Sequence, residues 1–229
     1  MFYFPYTRKP DFKNIHSIDY DTYWQTRGLE LPDTLNEREE IIFTLIKPQT
    51  KVIDIGCGIS YLPIKLLEKN CDVTVADISD TVLDKFRRFS MKVARLDLEK
   101  INEVPFADHY DYAILSEVLE HTSNPEEIID CFKEKTTRFI FTIPNSAYFR
   151  YRLHLFFCGR FFTQWVYHPS EHLRFWSHTD FLDWIADRGL HVDYSVASNG
   201  FSFRGLFPNL KDLLPNLFGH QIVYLCRVL

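Results

Sequence analysis

No stretch of the 229 residues stays apolar for the ~18 positions a helix needs to cross a bilayer, so no membrane partner is expected. The first residues, MFYFPYTRKPDF, place aromatics ahead of basic residues and have no apolar h-region, which does not read as a signal peptide. Cysteine is sparse and scattered. The five (Cys57, Cys71, Cys131, Cys158, Cys226) are an odd number and contain no C-x-x-C, which argues against a disulfide framework or structural zinc. A reducing cytoplasm is the expected home. Basic excess is lacking too. Lys+Arg 26 against Asp+Glu 31 gives a formal charge of −5, and such a chain has no overall field for nucleic-acid phosphates. Repeats and low-complexity tracts are absent.

What is present suits one globular domain over residues 1–229. Its apolar set is 46% of the chain, ample for a buried core. The aromatic content is high, with 21 Phe, 12 Tyr and 4 Trp, and many of these crowd into Tyr148–Trp176. Residues 1–30 read as an N-terminal cap segment with a short helix at 19–27. A second helix is expected from Pro32–Asp33 to Pro48, since Leu35, Ile42, Leu45 and Ile46 recur at near-helical spacing. From Lys51 onward β-branched runs alternate with helices. Strands are expected at 51–56, 71–77, 91–97, 111–116 and 138–144, with helices at 59–70, 79–89 and 125–135. Strands separated by helices of ~10 residues mean βαβ units and a parallel sheet covered on both faces. After an aromatic lid or insertion at 145–177 come a helix (178–189) and strands at 190–198 and 221–228, which no clear helix separates. The expected fold is therefore α/β, a Rossmann-like three-layer sandwich. Its seven-stranded sheet is mostly parallel, with an antiparallel edge strand.

The sharpest local signal is Asp54-Ile-Gly56-Cys57-Gly58-Ile-Ser60 between a strand and a helix. Glycines there let the backbone turn tightly and approach a ligand at the carboxyl end of the sheet. The third glycine of a dinucleotide fingerprint is replaced by Tyr61, and no P-loop Lys-Ser/Thr follows. Asp54 would repel a pyrophosphate and attract a cation. S-adenosylmethionine is such a cation. Asp77, ending the second strand, is placed to accept both ribose hydroxyls, and Asp97, ending the third, to accept from the adenine amino group. Each aspartate alone also reads as a helix N-cap or a turn residue.

With these residues the chain resembles the class I S-adenosylmethionine-dependent methyltransferases. VIDIGCGIS, VTVADIS, ARLDLE and DYAILSEVLEHTSNP look like their first four motifs, Ser60 departing from the usual glycine. The resemblance implies that Asp54, Gly56, Cys57 and Gly58 surround the methionine moiety. It places Asp77 and Ile78 at the ribose, Asp97 and Leu98 at the adenine, and Ser116 and Glu117 on the sulfonium side. Tyr23-Trp24-x-x-Arg27 is similar to a segment that closes over the cofactor, with Arg27 suited to its carboxylate. The second half, in IPNSAYFRYRLHLFFCGR, EHLRFWSHTDFLDWIADRGL and PNLFGHQIVYL, resembles the methionine-biosynthesis protein W branch. That branch is implied to work beside homoserine acyltransferase, so a cofactor-binding partner that regulates an acyltransferase is the alternative to an enzyme.

Glu117, Glu120 and His121 fall at i, i+3 and i+4, one face of a helical turn. This Glu-x-x-Glu-His cluster looks more like the ubiquinone-pathway O-methyltransferases and small-RNA 2′-O-methyltransferases. By that likeness Glu117, Glu120, His121 and His172 would hold Mg²⁺, Mn²⁺ or Zn²⁺ to orient a substrate oxygen. The same letters occur in metal-free methyltransferases, where the histidine closes the loop or contacts substrate. His121, then His172, are the candidate bases for a hydroxyl acceptor. The other histidines (His154, His168, His178, His191, His220) are expected on the surface or at caps. A small-molecule acceptor is expected, with the 145–177 segment serving as acceptor pocket, homodimer interface or protein-partner surface.

Overall fold

The computed structural model describes residues 18–89, 91–101, 108–162, 171–202 and 210–229. Seven strands form one sheet: β1 (Lys51–Ile55), β2 (Asp72–Asp77), β3 (Lys92–Arg95), β4 (Tyr110–Ser116), β5 (Thr136–Pro144), β6 (Leu190–Gly200) and β7 (Gly219–Val228). Their order is β3-β2-β1-β4-β5-β7-β6. β1 to β5 are parallel, and β7 runs against both β5 and β6. The antiparallel pairing thus lies at the expected edge, the reversed strand being one in from the end. The order reverses beside β1. A parallel sheet opens a ligand crevice there, outside the carboxyl ends of its strands.

Among the described residues seven helices flank the sheet: α1 (Tyr20–Arg27), α2 (Glu37–Leu45), α3 (Leu62–Leu67), α4 (Asp80–Phe86), α5 (Pro125–Phe132), α6 (Phe149–Cys158) and α7 (His178–Asp187). Two more, α8 (Leu210–Leu213) and α9 (Pro215–Phe218), are single turns between β6 and β7. Side chains alternate across a strand, and β1 shows it. Ile53 and Ile55 join a core made with Ile128, Ile129 and Phe132 of α5 and Phe181 and Ile185 of α7. Val52 joins the opposite core, with Ile42 of α2, Leu62 and Leu66 of α3, and Leu83 and Phe86 of α4. Three layers result.

Local chemistry sets the ends of the elements. α2 begins at Glu37, four residues after the expected Asp33, because Asn36 and Glu39 form a reciprocal capping box there. Glu39 is otherwise buried, and the cap holds its carboxylate at the first turn. Ser177 and Asp180 cap α7 the same way, and Ser79 caps α4 by accepting from the Val82 N–H. No helix among the described residues is long and apolar enough to cross a membrane.

Candidate active site

The carboxyl ends of β1, β2 and β4 and the turn after β3 open into one cavity of ≈ 620 Å³. Gly56 and Gly58 leave β1 with φ of +65° and +52°. Gly56 lies on Val118, which a Cβ would strike at 2.7 Å, and Gly58 lies under the Trp24 ring, 2.8 Å from where its Cβ would be. Both positions therefore need glycine for conformation and for space. Asp77 fastens the loop, accepting the Gly58 N–H at 3.0 Å with one oxygen and the Ser79 N–H at 2.9 Å with the other.

α1 covers this loop. Its Asp21 accepts from the Ser79 hydroxyl at 2.5 Å and the Thr81 N–H at 3.2 Å, docking the helix on the start of α4. That puts Tyr20, Tyr23, Trp24 and Arg27 in the cavity wall. The Arg27 guanidinium lies 4.4 Å from the centre of the Tyr23 ring. Arg38, on the first turn of α2, lines the wall too. It sits 3.6 Å from Glu117, and its Nε is buried without a partner.

Every residue expected from sequence at the cofactor lines this cavity. Asp97 does so while capping the turn Leu98–Lys100, where it accepts from the Glu99 N–H at 3.1 Å. Asp54 is buried, and desolvation together with the Glu39 and Asp77 carboxylates lifts its pKa to about 8, Arg38 opposing. Burial also raises Asp77, and it pushes the Cys57 thiol up. An acidic pocket short of positive charge is one that a cation would relax.

The expected helical turn at Glu117-Val-Leu-Glu120-His121 is corrected. Glu117 has φ +57°, and only Leu119–His121 form a 3₁₀ turn, so the chain twists between the two glutamates. The Glu117 carboxylate accepts from Gln221 at 2.8 Å and faces Arg38. Glu120 points the other way, fully buried, with no partner on either oxygen. Its backbone carbonyl accepts the Leu173 N–H at 2.7 Å and the Arg174 N–H at 3.2 Å. Those bonds bring His172 across the cavity, its ring 4.6 Å from that of His121 at 79°. Glu120, His121 and His172 offer ligand atoms within 4.8 Å of one another. Each imidazole also has its Nδ1 buried and unpartnered. Burial, then the Glu117 charge, raises Glu120 well above the carboxylate range. Burial lowers His121, and burial with His121 beside it takes His172 down to about 3.

Sequence reasoning missed part of the wall. Tyr20, Arg38, Glu39, Tyr151, Glu171, His220 and Gln221 line it though none was expected there, arriving through the packing of α1, α2, α6, β7 and the segment at Glu171. Two histidines placed at the surface or at caps are instead internal. His154 is buried, with Nδ1 at 2.9 Å from the Arg160 carbonyl, and His220 in the wall has Nε2 at 2.6 Å from the Tyr151 hydroxyl. His191 is exposed, and His178 opens α7, while His168 lies outside the described residues.

This strand order, with the glycine loop after β1 and carboxylates at successive strand ends, defines the class I S-adenosylmethionine-dependent methyltransferase fold. Solved structures agree. A TehB-like S-adenosylmethionine-dependent methyltransferase from Corynebacterium glutamicum matches with a TM-score of 0.56 at 15% identity, over 92% of this chain and 97% of that one. Magnesium protoporphyrin IX methyltransferase from Synechocystis matches at 0.55 and 15%, over 83% and 82%. Within that class the chain belongs to the family described as methionine biosynthesis protein MetW, whose model matches residues 36–226. It is also similar to the ubiquinone biosynthesis O-methyltransferase of Nitrosomonas europaea, 30% identical over 132 residues. That match spans 52% of this chain and 47% of the relative, about half its length.

Proposed function

We propose that the protein is an S-adenosylmethionine-dependent methyltransferase acting on an oxygen of a small-molecule acceptor. One observation carries the reading: Asp54, Asp77 and Asp97 meet the glycine loop in a single cavity, with Glu120, His121 and His172 clustered beside it. The cavity volume lies within the ~300–1,000 Å³ of small-molecule sites. Asp54 faces the ammonium and sulfonium. Asp77 keeps its outer lone pairs for the ribose hydroxyls. Asp97 and Leu98 flank the adenine. Ser116 and Glu117 lie on the sulfonium side, and Tyr23 and Arg27 close over the methionine end. Methyl transfer is an in-line displacement at a carbon the sulfonium already activates, so the protein must align the reactants and exclude water. Tyr20, Trp24 and Tyr151 supply apolar wall for that. His121, held neutral by burial, can accept a hydroxyl proton, with His172 edge-on beside it.

Three orphaned donors converging from the 3₁₀ turn and the His172 segment also fit a divalent cation. Glu120, His121 and His172 would hold it, and its chemistry there would be to lower the acceptor hydroxyl's pKa. The likeness to a ubiquinone-pathway enzyme supports oxygen as the target.

The reading is tested by calorimetry with S-adenosylmethionine and by transfer of its labelled methyl group to candidate hydroxyl acceptors. Micromolar binding that Asp77→Ala abolishes is expected. Binding by wild type without transfer to any acceptor would favour the regulatory role its family resemblance implies. Gly58→Ala is a second check. A left-handed alanine costs roughly 1–3 kcal/mol, and here its methyl also meets Trp24. Cofactor affinity should fall at least ~10-fold as the α1 cover shifts, read by the same titration.

A further inference from the structure

α6 has two faces of different character. Inward, Tyr151 lines the cavity and stacks on Phe162 with ring centres 3.9 Å apart, and His154 is buried beneath. Outward, Phe156 is 80% exposed and Phe157 70%, followed by Phe161 at 66% just beyond the Gly159 C-cap. Leu153, Leu155 and Phe175 are exposed around them. Phe156 and Phe157 touch edge to face, ring centres 4.9 Å apart, and stay open to solvent around that contact. From Asn145 to Phe162 the chain carries Arg150, Arg152 and Arg160 and no Asp or Glu, although the whole protein is at −5. Among the described residues Arg152 donates to carbonyls, those of Ala147 and Asn216, and to no carboxylate.

We infer that α6 and the turn after it dock the protein on an anionic lipid bilayer, with Phe156, Phe157 and Phe161 entering the headgroup–acyl boundary. Aromatics beside arginines on a short helix suit that boundary, where the apolar rings are buried and the cations meet lipid phosphates. A second copy of the chain fits less well. A two-fold contact through this face would turn its arginines toward their own counterparts. The charge pattern also sets orientation. An acidic body is repelled by an anionic surface except at this basic face, so the bilayer would be met with the helix that walls the cavity. Sequence reading excluded a membrane because it sought a span of ~18 apolar residues, and an interfacial helix needs none.

The inference is independent of methyl transfer and is tested without it. The full chain is sedimented with vesicles of phosphatidylcholine alone and with vesicles carrying a third phosphatidylglycerol. Binding to the anionic vesicles only, weakened by salt, is expected. Phe156→Ser with Phe157→Ser and Phe161→Ser should reduce it at least ~10-fold, as should Arg160→Glu, while thermal midpoints hold because these side chains are exposed. Wild type left in the supernatant with both vesicle types would overturn the inference. So would unchanged binding by the triple serine variant. If sizing instead shows a dimer that the serine variant dissolves, with no vesicle binding, the face is a self-interface and the lipid assignment fails.

Discussion

Affinity for S-adenosylmethionine should rise about tenfold per pH unit between roughly pH 5.5 and 7. The cause is Asp54, whose pKa of about 8 in the free protein leaves its carboxyl mostly protonated across that window. The cation binds the ionised form, so binding lowers the pKa and expels a proton. Below the free pKa the association constant then gains one decade per unit. The ligand's own ammonium stays protonated below pH 7, since α-amino groups titrate near 7.7–8.0. Titrations in two buffers of different ionisation enthalpy should show close to one proton released per ligand at pH 6.5. Asp54→Asn should bind weakly and with no slope. A flat profile in wild type would mean that Asp54 is already ionised, its charge carried by Arg38.

The same carboxyl should cost stability. Its folded pKa is raised, so below about pH 4 both states hold the proton and no penalty exists. From there to about pH 8 the unfolded chain ionises while the fold keeps the proton, and stability falls as pH rises. Asp54→Asn should therefore raise the thermal midpoint of the ligand-free protein by several degrees at pH 7 while weakening binding. A binding residue that opposes folding is what a site tuned for its ligand predicts.

How far the sequence could be read follows from what each feature depends on. The strands and their parallel order were legible because β1 and β2 are buried on both faces and must be written in β-branched runs, while Gly56 and Gly58 mark a loop that cannot carry side chains. The strand-end carboxylates were legible by position. The twist at Glu117 was not. E-V-L-E-H fits a helical turn by spacing, and only the Thr142 carbonyl, which takes the Glu117 N–H at 3.1 Å, reveals that β4 pairing persists one residue further. That bond pulls Glu117 out of register with Glu120. Arg38, Tyr151 and His220 were invisible for a different reason. Their roles depend on how helices and a reversed strand pack from far along the chain, and spacing along the sequence holds no trace of it.

The other large effect concerns the orphaned triad. Adding Mn²⁺ to chelator-treated protein should raise its thermal midpoint by about 5–10 °C at a hundredfold excess over Kd. That is the ~2.7 kcal/mol of binding linkage, at some 2–4 °C per kcal/mol for a chain of this size. In the metal-free protein a fully buried carboxyl with no partner sits against two neutral imidazoles, an arrangement that costs folding energy and that a divalent cation would reverse. Glu120→Gln removes the group that must lose a proton. It should abolish the Mn²⁺ increment and leave the metal-free protein as stable as wild type or more so. His172→Ala should abolish the increment as well, being the donor from across the cavity. Glu117→Gln should keep most of it, because that carboxylate is turned to Gln221 and Arg38 rather than to the triad. Affinity should fall as pH falls, since the metal must displace the proton that burial keeps on Glu120. If Mn²⁺ moves wild type and Glu120→Gln equally, or neither, the triad is no metal centre. His121 and His172 would then face the acceptor directly, and the proton of its hydroxyl would pass to an imidazole alone.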